Sequence, residues 1–134
     1  MTDSLQLYLA SASPRRSELL TQLGLRFQPL LNGVAEELLR GESPEDHADR
    51  LALTKAQAGW ESAERTHDRP VLGADTIVVM NDTILGKPKD LEDYLRIIRI
   101  LSGNTHQVIT SVALVQGDHI ASVTSVSRVK FRDI

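Results

Sequence analysis

The sequence predicts an α/β fold built on a mixed sheet. Three observations predict it. Apolar runs of strand length alternate with helix-period stripes, three helix starts carry a capping residue, and two hairpin turns argue against an all-parallel sheet. Leu5 to Ala10 is the first apolar run and reads as a short buried strand. Ser13-Pro14 follows as a helix start, a serine N-cap with proline at the first helical position. Leu19, Leu20 and Leu23 fall on one face of this helix, and Gly24 ends it. Leu25 to Leu31 reads as a second strand, and Gly33 to Gly41 as a loop carrying Glu36 and Glu37. Ser43-Pro44-Glu45-Asp46 opens a second helix with acids in its first turn. That helix runs to about Gly59, with Ala48, Leu51, Ala52 and Ala56 as its apolar stripe.

Val71 to Met80 is nearly continuous in apolar, β-branched residues and reads as a central strand. Asn81-Asp82 is a hairpin turn, with Thr83 to Leu85 returning. Asp90 caps a third helix whose stripe is Leu91, Leu95, Ile98 and Leu101, and Gly103 ends it. Val108 to Val115 and Ile120 to Phe131 read as two further strands joined at Gln116-Gly117-Asp118.

The 134 residues suit one domain, 1–134, able to bury a core without a staple. No cysteine is present, which excludes a disulfide framework, a thiol nucleophile and a Cys-type zinc site. Apolar residues at 41% and charged residues at 25% argue against disorder. A net charge of −3 argues against a nucleic-acid polymer as partner. No apolar run approaches the about 18 residues of a membrane span, and the N-terminus lacks a signal peptide's basic region. A cytoplasmic protein without membrane contact is expected.

Several residues carry candidate chemistry. Ser11, Ser13, Arg15 and Arg16 surround a helix N-terminus, where free N–H groups and the positive dipole end favour an anion. Two arginines there oppose the dipole. A bound anion removes the conflict, and solvent-facing arginines are the alternative. Asp75 lies inside the central strand, where an ionised carboxylate needs a partner, a metal or a hydrogen-bonding role. Small residues before it, Gly73 and Ala74, leave room for a ligand. Lys55 sits on its helix's apolar stripe, so it either snorkels at the edge or reaches into a cleft. Lys87 is presented by the Gly86-Lys87-Pro88 turn. Read alone, Glu36 and Glu37 are a solvated pair, and His106 is a structural hydrogen-bonding histidine without a catalytic role. Together these groups can hold a polyphosphate and a divalent cation, without a Walker A loop.

The segments Leu-Ala-Ser-Ala-Ser-Pro-Arg-Arg (9–16), Leu-Gly-Ala-Asp-Thr (72–76), Gly-Lys-Pro (86–88) and Leu-Ser-Gly-Asn-Thr-His-Gln-Val (101–108) resemble the Maf family of nucleoside triphosphate pyrophosphatases. The resemblance implies a Maf-like, inosine-triphosphatase-like fold: a mixed, strongly twisted sheet with flanking helices and a substrate cleft. It implies hydrolysis of a nucleoside triphosphate to monophosphate and pyrophosphate with Mg²⁺ or Mn²⁺, a house-cleaning role, a link to septum formation and a possible homodimer. Arg15 and Thr76 resemble the branch acting on dTTP and UTP rather than on 7-methyl-GTP. By the same resemblance, Asp75 matches the general base, Ser13, Arg16, Lys55 and Lys87 match residues around the triphosphate, and Glu36 matches a metal ligand. Asp75 is base, metal ligand or both. Ala35 and Thr54 depart from the family pattern, each standing where an acid is usual. Family members also continue past the Val-x-Phe-Arg strand, so the resemblance implies a chain lacking the C-terminal segment. The alternative expectation is a nucleotide-binding protein without catalysis.

Overall fold

The computed structural model describes residues 4–11, 13–30, 39 and 41–133. The element order is β1 (Leu7–Ala10), α1 (Pro14–Gln22), β2 (Phe27–Pro29), α2 (Pro44–Trp60), β3 (Val71–Met80), β4 (Thr83–Leu85), α3 (Leu91–Leu101), β5 (Thr105–Gln116) and β6 (His119–Lys130). The six strands form one mixed sheet in the order β2-β1-β3-β5-β6, with β4 also on β3. β1 runs parallel to β2 and β3, whereas β4, β5 and β6 make antiparallel pairs. The expected α/β class and mixed sheet are therefore present.

Local signals place most of the boundaries. Ser43 Oγ accepts from the Asp46 amide at 3.1 Å, and Asp90 Oδ1 accepts from the Asp93 amide at 2.8 Å. Both caps satisfy an otherwise orphaned N–H of the first helical turn. Asn81 and Asp82 take φ of 50° and 62°, the left-handed pair that matches the twist of a two-residue hairpin. The expected strands over 5–10 and 25–31 are shorter, at 7–10 and 27–29, the strand expected over 108–115 is longer, at 105–116, and the one expected over 120–131 is shifted by one residue, to 119–130. Pairing with β6 extends β5 through the polar residues Thr105, His106 and Gln107.

α2 is the helix that packs on the sheet. Ala48, Leu51, Ala52 and Ala56 are all buried, as their spacing predicts. Ala52 and Ala56 lie against Ala113 and Val115 of β5, while Ala48 meets Ile77, Val79 and Ile109. The stripes of the other helices are largely uncovered. Leu20 is buried on α1, but Leu19 and Leu23 are exposed; Leu101 is buried on α3, but Leu91 and Leu95 are exposed. Helical period identifies an apolar face, but burial requires an element opposite it, and the described residues supply none there.

Gly73 has a different role from the one its sequence position suggests. A Cβ at Gly73 would meet the Ala52 carbonyl and, at 2.6 Å, the Ala56 amide. The missing side chain admits the backbone of α2, not a ligand.

Candidate active site at a notch in the sheet

β5 pairs with β3 continuously from Val71 to Val79 and so occupies one whole edge of that strand. β1 and β4 must share the other edge. β1 pairs with Val71, Leu72 and Gly73, and β4 pairs with Val78, Val79 and Met80. Between them Ala74, Asp75, Thr76 and Ile77 face a notch that no strand fills among the described residues. From Gly73 to Val78 the notch spans about 17 Å of extended chain. The Tyr8 amide donates to the Pro70 carbonyl at 2.9 Å, so Pro70 turns its backbone to this edge. Alternate residues of a strand share an edge, which aims the N–H and C=O of Thr76 into the notch.

The two side chains at the centre of the notch point to opposite faces. Asp75 faces α2 and is 5% exposed. Lys55 Nζ donates to its Oδ1 at 3.1 Å, while Oδ2 is buried without a partner among the described residues. Lys55 does not snorkel at the stripe edge: its side chain turns inward to the Asp75 carboxylate. Thr76 faces the other way, towards α1. Arg16 Nη2 donates to Thr76 Oγ1 at 2.9 Å, and Thr76 shares a 3.0 Å hydrogen bond with Thr110.

The turn after β1 delivers Arg16. Ser11 Oγ accepts from the Ser13 amide and from Arg16 Nη1, each at 3.2 Å. Ser13 takes the extended N-cap conformation, yet its side chain makes no cap hydrogen bond. The capping expectation is therefore met in backbone geometry only, and Ser11 closes the turn instead. No acid lies in the first turn of α1, so the dipole end is uncompensated by the helix itself. Arg15 is exposed and Arg16 half-buried, so the adjacent arginines divide between solvent and notch. Burial pushes the Arg16 guanidinium below its ordinary value, and the Asp75 carboxylate pulls it back up. Lys55 and Arg16 thus flank β3 from its two faces, with a carboxylate between them.

A cleft of about 540 Å³ opens beside the notch. Asp75, Thr76 and Lys87 line it with His47 and Leu51 of α2, Ile84 and Leu85 of β4, and Tyr94, Ile97 and Leu101 of α3. Lys87 is exposed, as its turn predicts. Glu36, the expected metal ligand, lies outside the described residues, as does Ala35.

Sequence reasoning missed His47, Tyr94 and Thr110. His47 is buried, with Nδ1 at 3.2 Å from Glu42 Oε1, and Glu42 also binds Arg50 Nε through Oε2 at 2.7 Å. The hydrogen bond from Arg50, then that from His47, holds the Glu42 carboxyl well below the usual range, at about 2. The available signal was the helical spacing of His47, Leu51 and Lys55, which sets all three on one face. Thr110 carried no signal, because only the β3–β5 register places it opposite Thr76. His106 is buried, as a structural residue should be. The hydrogen bond expected of it is not seen at Nδ1, which has no partner among the described residues; the ring instead packs edge-on against Phe131 at 5.0 Å.

This architecture is shared with proteins of solved structure. The Ham1 protein of Staphylococcus aureus superposes with a TM-score of 0.60 at 13% identity, over 93% of this chain and 71% of that one. A nucleoside-triphosphatase described as a dITP/XTP pyrophosphatase, from Mycobacterium abscessus, superposes at 0.53 with 17% identity, over 92% and 71%. At such identities the likeness establishes the fold. The sequence establishes the family. The profile described as Maf-like protein matches residues 6–134, and the chain belongs to the Maf family. Curated relatives named dTTP/UTP pyrophosphatase include one from Shigella dysenteriae serotype 1, 49% identical over 128 residues, and one from Escherichia coli K12, 48% identical over 128 residues. Each match covers 96% of this chain and 64% of the relative's length.

Proposed function

We propose that the chain carries the catalytic notch of a nucleoside triphosphate pyrophosphatase that hydrolyses dTTP and UTP to monophosphate and pyrophosphate. One observation carries this reading: a buried carboxylate with one oxygen held by a lysine and the other without a partner among the described residues, at a strand edge that no described strand fills and that cations flank. In the proposed reaction Asp75 Oδ2 accepts a proton from water as the water oxygen bonds to the α-phosphorus. The bond from the α-phosphorus to the bridging oxygen breaks, and the electron pair leaves with pyrophosphate. Arg16, Lys55 and Lys87 meet the negative charge that develops on the leaving group. Ser13 Oγ, unused as a cap, and the Thr76 amide add neutral donors. Thr76, at the centre of the notch, and the exposed Arg15 are proposed to set substrate preference.

A divalent cation, Mg²⁺ or Mn²⁺, belongs to this proposal. The donor set fits one in part. The orphaned Asp75 Oδ2 is a hard oxygen ligand, and no group of three acids or histidines gathers among the described residues. Mg²⁺ suits such a site, because it retains several waters and takes one or two carboxylates with substrate phosphates. When bound, it would neutralise charge on the phosphate oxygens. Glu36 is the proposed second ligand.

The cellular side follows from the same reading: a cytoplasmic enzyme clearing nucleotide pools, linked to septum formation. No helix among the described residues is long and apolar enough to cross a membrane. The exposed Ile120, Val123 and Val126 of edge strand β6 support a homodimer.

Purified chain incubated with UTP and Mg²⁺ should release monophosphate and pyrophosphate. Asp75→Asn should abolish turnover and retain nucleotide binding. Release of diphosphate and phosphate, or full activity of the variant, would overturn the reading. Saturable binding without turnover at any metal concentration would leave the non-catalytic alternative in place.

A further inference from the structure

β1, β2 and β3 run parallel, so their N-terminal ends lie together, away from the notch at the C-terminal end of β1. The three residue steps of β1 separate the two ends by about 10 Å. At the N-terminal end is a second concavity of about 700 Å³. Leu5, Leu25 and Phe27 give it apolar lining, Arg26, Arg69 and His67 give it basic lining, and no carboxylate lines it among the described residues.

The two guanidinium groups are held in the same way. Arg26 Nε donates to the Ser4 carbonyl and Arg69 Nε to the Leu5 carbonyl, each at 2.8 Å. Arg69 Nη1 also donates to the Asp68 carbonyl at 3.1 Å. These bonds clamp each fork through its stem side. Both Nη groups of Arg26 and Nη2 of Arg69 then have no partner among the described residues. Arg26 and Arg69 both line the concavity, and an anion bound there would offset the repulsion between their like charges.

His67 adds a third donor, and its tautomer follows from the fold. The buried Tyr8 hydroxyl accepts from the Thr66 amide at 3.1 Å and the His67 amide at 2.9 Å. Its own hydrogen is left for His67 Nδ1, 3.4 Å away, and the Thr66 hydroxyl lies 3.0 Å from the same nitrogen. With hydroxyl donors aimed at Nδ1, the neutral ring carries its hydrogen on Nε2. Two clamped forks and an imidazole N–H offer more donors than the two oxygens of a carboxylate take up. They match the three terminal oxygens of a phosphate group, and the apolar lining matches an organic body attached to it.

We propose that this concavity is a second anion site, separate from the notch, which binds a phosphate group, either free or as a monoester. The proposal does not depend on the chain's catalytic activity. The test is an NMR titration of the intact chain with inorganic phosphate, following the Nε–Hε signals of Arg26 and Arg69 and the His67 ring. A parallel titration uses a nucleoside monophosphate. Saturable shifts at all three side chains are expected, weakened roughly tenfold or more in Arg26→Gln and in Arg69→Gln, and unchanged in Arg16→Gln. Arg69→Lys keeps the charge without the fork and should bind between wild type and Arg69→Gln. Tighter monoester binding at these side chains assigns the ligand to the ester, and equal binding assigns it to free phosphate. Absence of saturable shifts at these side chains, or equal affinity in wild type and both glutamine variants, overturns the proposal.

Discussion

Replacing Gly73 by alanine tests how the strand that carries Asp75 is seated against the helix that carries Lys55. Gly73 is not among the glycines of positive φ, so alanine adopts its backbone conformation without strain. By backbone entropy alone the change would stabilise the protein by about 0.4–1 kcal/mol. The new Cβ, however, meets the Ala52 carbonyl, the Ala56 amide at 2.6 Å and the Ala56 Cβ at 3.0 Å. Two of these are helix backbone atoms, which no rotamer change can move aside. Overpacking of this kind costs about 1–3 kcal/mol, occasionally more. The upper part of that range applies, and the net expectation is a loss of about 2 kcal/mol. For a chain of 134 residues that lowers Tm by roughly 7 °C. Relief of the clash pushes α2 away from β3 and lengthens the 3.1 Å Lys55–Asp75 contact, so turnover should fall with stability. Urea denaturation gives the free energy, and a pyrophosphate-release assay below the melting range gives the activity. Unchanged or increased stability would refute the close approach of α2 to β3 and the account of the site built on it.

Lys55→Met leaves a buried carboxylate without its ammonium partner. Breaking such a pair costs about 3–5 kcal/mol, and urea melts should show that Asp75→Asn in the same background recovers part of it. Asp90→Ala removes the cap of α3, which walls the cleft; a thermal melt should show a loss of about 1 kcal/mol. Glu42 gives a pH-dependent prediction. Its folded value of about 2 lies below the ordinary 4.5, so its contribution is complete above about 4.5 and disappears as the pH falls towards 2. Acid unfolding between pH 4.5 and 2 should therefore be shallower in Glu42→Gln, followed by circular dichroism.

How far the site was legible depended on the range of the interaction concerned. Lys55 could be singled out because it interrupts an apolar stripe, and Asp75 because a charge inside a β-branched run demands an explanation. Neither sequence signal shows that the two meet, since twenty residues separate them. Arg15 and Arg16 look equivalent in sequence, yet only Arg16 reaches Thr76, sixty residues away. Ser13 reads as a side-chain cap, but Ser11 supplies the hydroxyl that closes the turn. The stripes of α1 and α3 are as regular as that of α2, but period alone does not show which face will find a partner.

The sequence by itself determined the helix starts, the hairpin at Asn81-Asp82, the core face of α2 and the family. These depend on capping, left-handed turn residues and periodicity, which act over a few residues of chain. Tertiary structure alone decided that the pairing of β3 with β1 stops at Gly73 and that with β4 begins at Val78, leaving Asp75 and Thr76 at an edge that is unpaired among the described residues. It also decided that Gly73 admits a helix and that Arg26 and Arg69 line the same concavity. These features follow from strand register and from contacts between segments distant in sequence, where pairing and packing free energy outweighs local preference.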